Sequence, residues 1–160
     1  MGKRRKAREC CLQILYQLEF EPSSEEKVLQ DFWKNISPST EIQNYCTWLV
    51  KGISEQKDKL DRILQSVSKN WKLERMTLID RNILRIAVFE LVFEKHITPA
   101  IIINEAIEIA KKFSGEKSAV FINGVLDAIR KSLPRMKNLN KAEENEGNKK
   151  SQGKTEKRES

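Results

Sequence analysis

The stretch "TLIDRNILRIAVFELVFEK", Thr77 to Lys95, is apolar on nearly every side of a helix drawn through it. A helix without a polar face has to be enclosed by others, so this segment demands a multi-helix body with itself at the centre. Thr77, with Asp80 three residues on, caps its start. The rest of the chain supplies the enclosure. Apolar residues recur at spacings of three and four, no stretch alternates with period two for long, and Gly and Pro number only six and four. The pattern predicts an all-α domain.

A first helix is expected from about Arg4 to Phe20, with Ala7, Cys11, Ile14, Leu15 and Leu18 as its buried stripe and Pro22 as its stop. Ser23 and Glu26 read as a capping box for a second helix that buries Val28, Leu29, Phe32, Trp33 and Ile36 and closes before Pro38. From Thr40 to Val67 two stripes follow, Ile42 to Ile53 and Leu60 to Val67. A break or bend is expected between them, where Gly52 and the polar stretch "SEQKDK" lie, because glycine inside a helix costs about 1 kcal/mol relative to alanine. "WKLERM" is a connector. After the central helix, Pro99 opens "AIIINEAIEIAKKF", which reads as two-faced. Ile102, Ile103, Ala106, Ile107, Ile109, Ala110 and Phe113 go inward, and Asn104, Glu105, Glu108, Lys111 and Lys112 go outward. Ser114 and Gly115 stop it. A last helix buries some of Val120, Phe121, Val125, Leu126 and Ile129, and Pro134 ends the folded part.

The chain has 160 residues, room for one cored domain and hardly two. Residues 1–137 carry the folded pattern. Residues 138–160 hold one Leu, no aromatic side chain and charges of both signs, and are expected to be a disordered charged tail. No apolar run approaches the roughly twenty residues of a membrane span, and no secretory h-region follows the charged start. The three cysteines, Cys10, Cys11 and Cys46, form no C-x-x-C pair, which favours core positions in a reducing cytoplasm. His96, the one histidine, has no thiol or imidazole at ligand spacing and reads as a loop residue. No metal and no cofactor is expected.

Phosphate loops, nucleophile elbows and metalloprotease motifs are absent from the sequence. Glu105 and Glu108 are paired carboxylates on one helix face, and beside Lys111 and Lys112 they read as surface ion pairs. The chemistry points to a binding protein and not an enzyme. A net charge of +7 favours a polyanion as the bound partner. Five cations, Lys3, Arg4, Arg5, Lys6 and Arg8, precede the first acid, Glu9. Arginine engages phosphate and stacks on bases; the alternative is a frayed, solvated helix tip. Few of these side chains fall on the apolar stripe, so removing residues 1–8 is expected to spare the fold. Lys117, Ser118 and Phe121 open the last helix, whose first N–H groups are free to meet an anion. Phe121 reads as core by periodicity and as a stacking face if exposed.

Three segments resemble the family of the bacterial transcription antitermination factor NusB. "RRKARECCLQILYQLE" is similar to its opening helix and "DRNILRIAVFEL" to its central one. "TPAIIINEAIEIAKKFSGEKSAVFINGVLDAI" is similar to its helix–turn–helix, with Ser114 where the family usually has glycine and Gly115 left to make the turn. The resemblance implies two packed three-helix units plus a connecting helix. It implies binding to the boxA element of nascent single-stranded RNA together with NusE, a small-subunit ribosomal protein, within the transcription elongation complex, so that RNA polymerase reads through terminators, notably in ribosomal RNA operons. By position, Arg4, Arg5, Lys6, Arg8, Lys117, Ser118 and Phe121 match the family's RNA surface, and Tyr16, Glu74 and Asp80 match positions facing NusE. The resemblance leaves monomer and homodimer both open. Two rivals stand beside it. A NusB-like domain also occurs in a ribosomal RNA methyltransferase, which would need an α/β domain with a cofactor loop, and this chain has a polar tail there. The other rival is a helical protein-binding scaffold that does not bind RNA.

Overall fold

The computed structural model describes residues 2–22, 24–68 and 73–132. Among them are seven α-helices: α1 (Gly2–Phe20), α2 (Glu25–Asn35), α3 (Thr40–Glu55), α4 (Lys57–Val67), α5 (Leu78–Phe93), α6 (Pro99–Phe113) and α7, residues 116–132. A short 3-10 turn, Leu73–Arg75, leads into α5. None of the described helices is long and apolar enough to cross a membrane. The tail after residue 137, Ser23 and Pro134 lie outside the described residues.

Helices α1–α3 form one unit and α5–α7 the other, with α4 as the connector. The apolar pattern of α5 is met by its position: it packs on α1, α3, α4 and α6. Thr77 caps it as expected, its Oγ1 accepting the Asp80 amide at 3.1 Å. The largest enclosed side chains come from both units and the connector: Ile14, Leu49, Ile53, Leu60, Leu64, Leu84, Ile102, Ile122, Leu126 and Ile129. Each contributes about 1.5–3 kcal/mol relative to exposure. Cys10, Cys11 and Cys46 are buried free thiols. Burial pushes the Cys11 and Cys46 thiols well up, which makes them inert packing groups.

One local expectation is revised and two are met. The N-cap of α2 is Ser24, with no side-chain capping bond. The α3–α4 break falls at Gln56, inside the expected "SEQKDK" stretch, and the Gln56 amide closes on the Gly52 carbonyl at 2.9 Å. Gly52 itself is required for packing, since a Cβ there would run into the Phe89 ring. In α7, Val125, Leu126 and Ile129 are the buried members of the expected set, and Val120 points to solvent at 72% exposure.

Candidate nucleic-acid interface

The basic run is helical from Gly2, so it is the first two turns of α1. Cations at a helix N-terminus oppose the dipole, and no acid of the same turn offsets them. Carboxylates from other helices do. Lys3 Nζ meets Glu41 of α3 at 3.2 Å. Arg4 lies 3.8 Å over the Tyr45 ring, with Glu94 at 3.8 Å. Arg5 donates through Nε and Nη2 to Glu105 of α6 at 2.6 and 3.1 Å. Lys6 is exposed and has no ion-pair partner among the described residues.

Arg8 differs from the other four. It is 3% exposed and donates to Glu90 of α5 through Nε and Nη2 at 2.7 and 2.9 Å. Tyr45 Oη donates to the same carboxylate at 2.5 Å, and Glu105 lies 3.8 Å from Arg8 Nη1. A guanidinium so enclosed holds α1 against α5 and α3; it does not face solvent. For the same reason residues 1–8 are not expendable, because Ala7 and Arg8 are both buried. Glu105 also departs from its expected outward place. It is 2% exposed, and the Arg5 hydrogen bond holds its carboxyl below the usual carboxylate range. The same bond raises the Arg5 guanidinium.

The α6–α7 turn is built differently. Gly115 takes φ +116°, a conformation that favours glycine, and its amide joins that of Ser114 on the Ala110 carbonyl, both at 2.8 Å. Gly115 thus makes the turn expected of it. Ser114 adds a bond of its own. Its hydroxyl lies 2.8 Å from Asp80 Oδ1 and 2.8 Å from Ser118 Oγ, and Ser118 Oγ lies 3.0 Å from Asp80 Oδ2. Asp80, 7% exposed, therefore pins the start of α7 to the start of α5. Its carboxylate is turned to two serines, so a residue expected on the partner side and one expected on the RNA side are hydrogen-bonded to each other. Lys117, between the two serines in sequence, is exposed and has no ion-pair partner among the described residues. Phe121 is half-buried and packs against the core.

Arg5 faces Glu105 and Glu9 faces Lys112, so α1 and α6 run the same way and are bridged by ion pairs. Glu105 and Ser114 are nine residues apart on α6, about 14 Å along its axis. Lys112, two residues before Ser114, reaches back to α1, its Nζ 3.0 Å from Glu9. Sequence spacing places Lys112 among ordinary surface pairs, and its link to α1 emerges only from the packing.

Of the residues expected to face a partner, Tyr16 is 44% exposed and packs edge-on with Phe20, itself 66% exposed, at 5.3 Å between ring centroids. Glu74 lies in the 3-10 turn before α5, and its side chain is outside what is described. No cluster of metal-binding side chains occurs among the described residues.

The sequence model of the NusB family matches residues 5–131, from the arm to the last described turns of α7. The chain is 41% identical over 134 residues to the transcription antitermination protein NusB of Anaeromyxobacter dehalogenans, which covers 83% of this chain and 94% of that one. NusB of T. maritima superposes with a TM-score of 0.74 at 35% identity, over 80% of this chain and 90% of that one. A crystal structure of the antitermination factors NusB and NusE in complex with double-stranded RNA superposes with a TM-score of 0.74 at 26% identity, over 82% and 98% of the two chains.

Proposed function

Because the chain belongs to the NusB family, we propose that it is a transcription antitermination factor that binds boxA RNA of nascent transcripts together with NusE. The pair acts in the transcription elongation complex and promotes read-through by RNA polymerase, notably in ribosomal RNA operons. The function is binding and not catalysis, and its place is the cytoplasm, where bacterial transcripts are made. The domain is residues 1–137, and residues 138–160 are an appended charged tail.

One observation supports the RNA reading above the rest. Exposed cations come from two segments far apart in sequence, Lys3, Arg4 and Lys6 at the start of α1 and Lys117 at the start of α7, and Lys6 and Lys117 have no ion-pair partner among the described residues. Arg4, Arg5 and Lys6 meet RNA from the arm, and Lys117 and Phe121 meet it from the turn. Arg5 spends Nε and Nη2 on Glu105, which leaves Nη1 to a phosphate while fixing its direction. Arg8 and Ser118 serve from within: Arg8 seats the arm, and Ser118 ties the turn to Asp80. NusE meets the exposed Tyr16–Phe20 pair and Glu74, with Asp80 acting through the turn it holds.

Titration of labelled boxA RNA with the full chain, with and without NusE, tests this. NusE should tighten RNA binding, and single-stranded boxA should compete better than a scrambled sequence. Binding of NusE with no RNA affinity in either mixture would favour the protein scaffold instead.

A further inference from the structure

On the side of the arm that faces α3, an aromatic run continues beyond Tyr45. Tyr45 and Trp48 are one turn apart on α3, with ring centroids 5.4 Å apart. Trp48 lies 4.9 Å from Phe89, which lies 4.8 Å from Phe93. Arg4 closes one end over Tyr45, and Lys59 closes the other, its Nζ 5.6 Å from the Phe93 ring centroid. Phe89 is buried, and it sits in the space that Gly52 leaves. The ring behind Trp48 therefore cannot yield, and Trp48 keeps its orientation while 38% of it remains open to solvent.

Isolated exposed apolar residues are ordinary. Trp48 is not isolated: it stands beside Tyr45, which Arg4 covers, and so continues directly from the basic arm. The charges around it are nearly balanced, since Glu41 and Glu94 sit against Lys3 and Arg4. A surface rich in ring faces and poor in net charge binds bases better than it binds phosphates. Stacking on an aromatic ring is open to any base that is unpaired.

We propose that Trp48 is a base-stacking platform that extends the RNA track from the arm onto α3, and that its ligand is a single-stranded segment flanking the RNA held by Arg4 and Arg5. The inference rests on the RNA-binding reading of the arm. RNA held at the arm continues onto α3, and its next unpaired base lies on Trp48. The arm supplies most of the salt dependence and the platform supplies almost none.

The test uses the full chain with NusE and a labelled single-stranded boxA RNA carrying flanking nucleotides on both sides, titrated over a salt series. Trp48→Ala should weaken binding by roughly 5- to 150-fold, the effect of losing one stacked base, with the slope of log K against log salt unchanged. Trp48→Phe keeps a ring and should recover most of the affinity, which a purely structural role at the rim of the core would not require. In a chain carrying Trp33→Phe and Trp71→Phe, the remaining indole should be quenched by RNA. Wild-type affinity in Trp48→Ala, with the wild type itself binding RNA, overturns the platform and leaves the arm in place. Normal RNA affinity with weakened NusE binding also overturns it, and makes Trp48 a protein contact. A wild type that binds no RNA overturns both readings together.

Discussion

The two ends of the proposed RNA surface reach the same result by opposite chemistry. At the arm, cations are held by buried acids: Arg8 by Glu90, and Arg5 by Glu105. At the α6–α7 turn a buried acid, Asp80, is held by two neutral hydroxyls and by its place at a helix N-terminus. Bidentate ion pairs fix direction strongly, but they consume part of each guanidinium's charge, so a phosphate arriving at Arg5 shares it with Glu105. At the turn the geometry is set by groups without a positive charge, and Lys117 is left with no ion pair among the described residues. One end is therefore rigid and internally compensated, and the other is lightly held with its charge available.

The largest expected effect breaks the rigid end. Arg8→Ala strands Glu90, 1% exposed, with only the Tyr45 hydroxyl. Removing one partner of a buried pair costs about 3–5 kcal/mol. Urea denaturation should show a loss of that size, and replacing Arg8 and Glu90 together with Met should recover much of it. A loss under about 1 kcal/mol, the range of an exposed ion pair, would erase the contrast between the two ends. The turn should suffer less. Asp80→Ala removes the hydrogen bonds that Ser114 and Ser118 make to a charged carboxylate, a cost of about 1.5–3 kcal/mol, while Asp80→Asn retains an acceptor and should cost less. Calorimetric titration of Asp80→Asn with NusE should give near-normal affinity if the residue acts through the turn. A clear loss of NusE affinity at wild-type stability would instead put the carboxylate in the interface.

That asymmetry explains which parts of the molecule were legible in the sequence. Helix pattern, the Thr77 cap, Pro99 at the start of α6 and Gly115 at its end each depend on neighbours within one turn, and each is where spacing put it. Glu105 and Arg8 were misplaced because periodicity sends a charged residue outward unless its partner is known. Here the partners are 82 and 100 positions away. A signal was present all the same. Glu90 is a lone acid inside "AVFELVF", and Arg8 sits within the Ala7–Cys11 stripe, so each needed an opposite charge in the core. Gly52 was read as a weak point in a helix, since the ring that fills its space comes from another helix. Ser114, a departure from the family's usual glycine, had no readable role until Asp80 was seen beside it.

A smaller effect separates the arm's half-buried pair, Arg5 and Glu105, from its fully buried one. Arg5 holds the Glu105 carboxyl below the usual value of 4.5. A depressed carboxyl stabilises the fold above its unfolded pKa, and the contribution is lost as pH falls through the folded value. The stability difference between wild type and Glu105→Gln should therefore be constant near neutrality and shrink only below about pH 4.5. A difference that changes between about pH 6 and 8 would mean that another group controls the pair.

The smallest expected change in stability is at Lys117, and its sign is informative. A lysine in the first turn of α7 opposes the helix dipole, so Lys117→Gln should leave stability equal or raise it by up to about 1 kcal/mol. If the ammonium meets one phosphate, the same substitution should weaken RNA binding and flatten the salt slope by about 0.7 for a single strand. Arg5→Gln should lower both quantities, because it also leaves Glu105 with only the more distant Arg8. Opposite signs at Lys117 and equal signs at Arg5, from thermal melts and salt-series titrations of the two variants, would establish that the turn offers free charge and the arm offers charge already partly used. Equal signs at both would make Lys117 part of the fold.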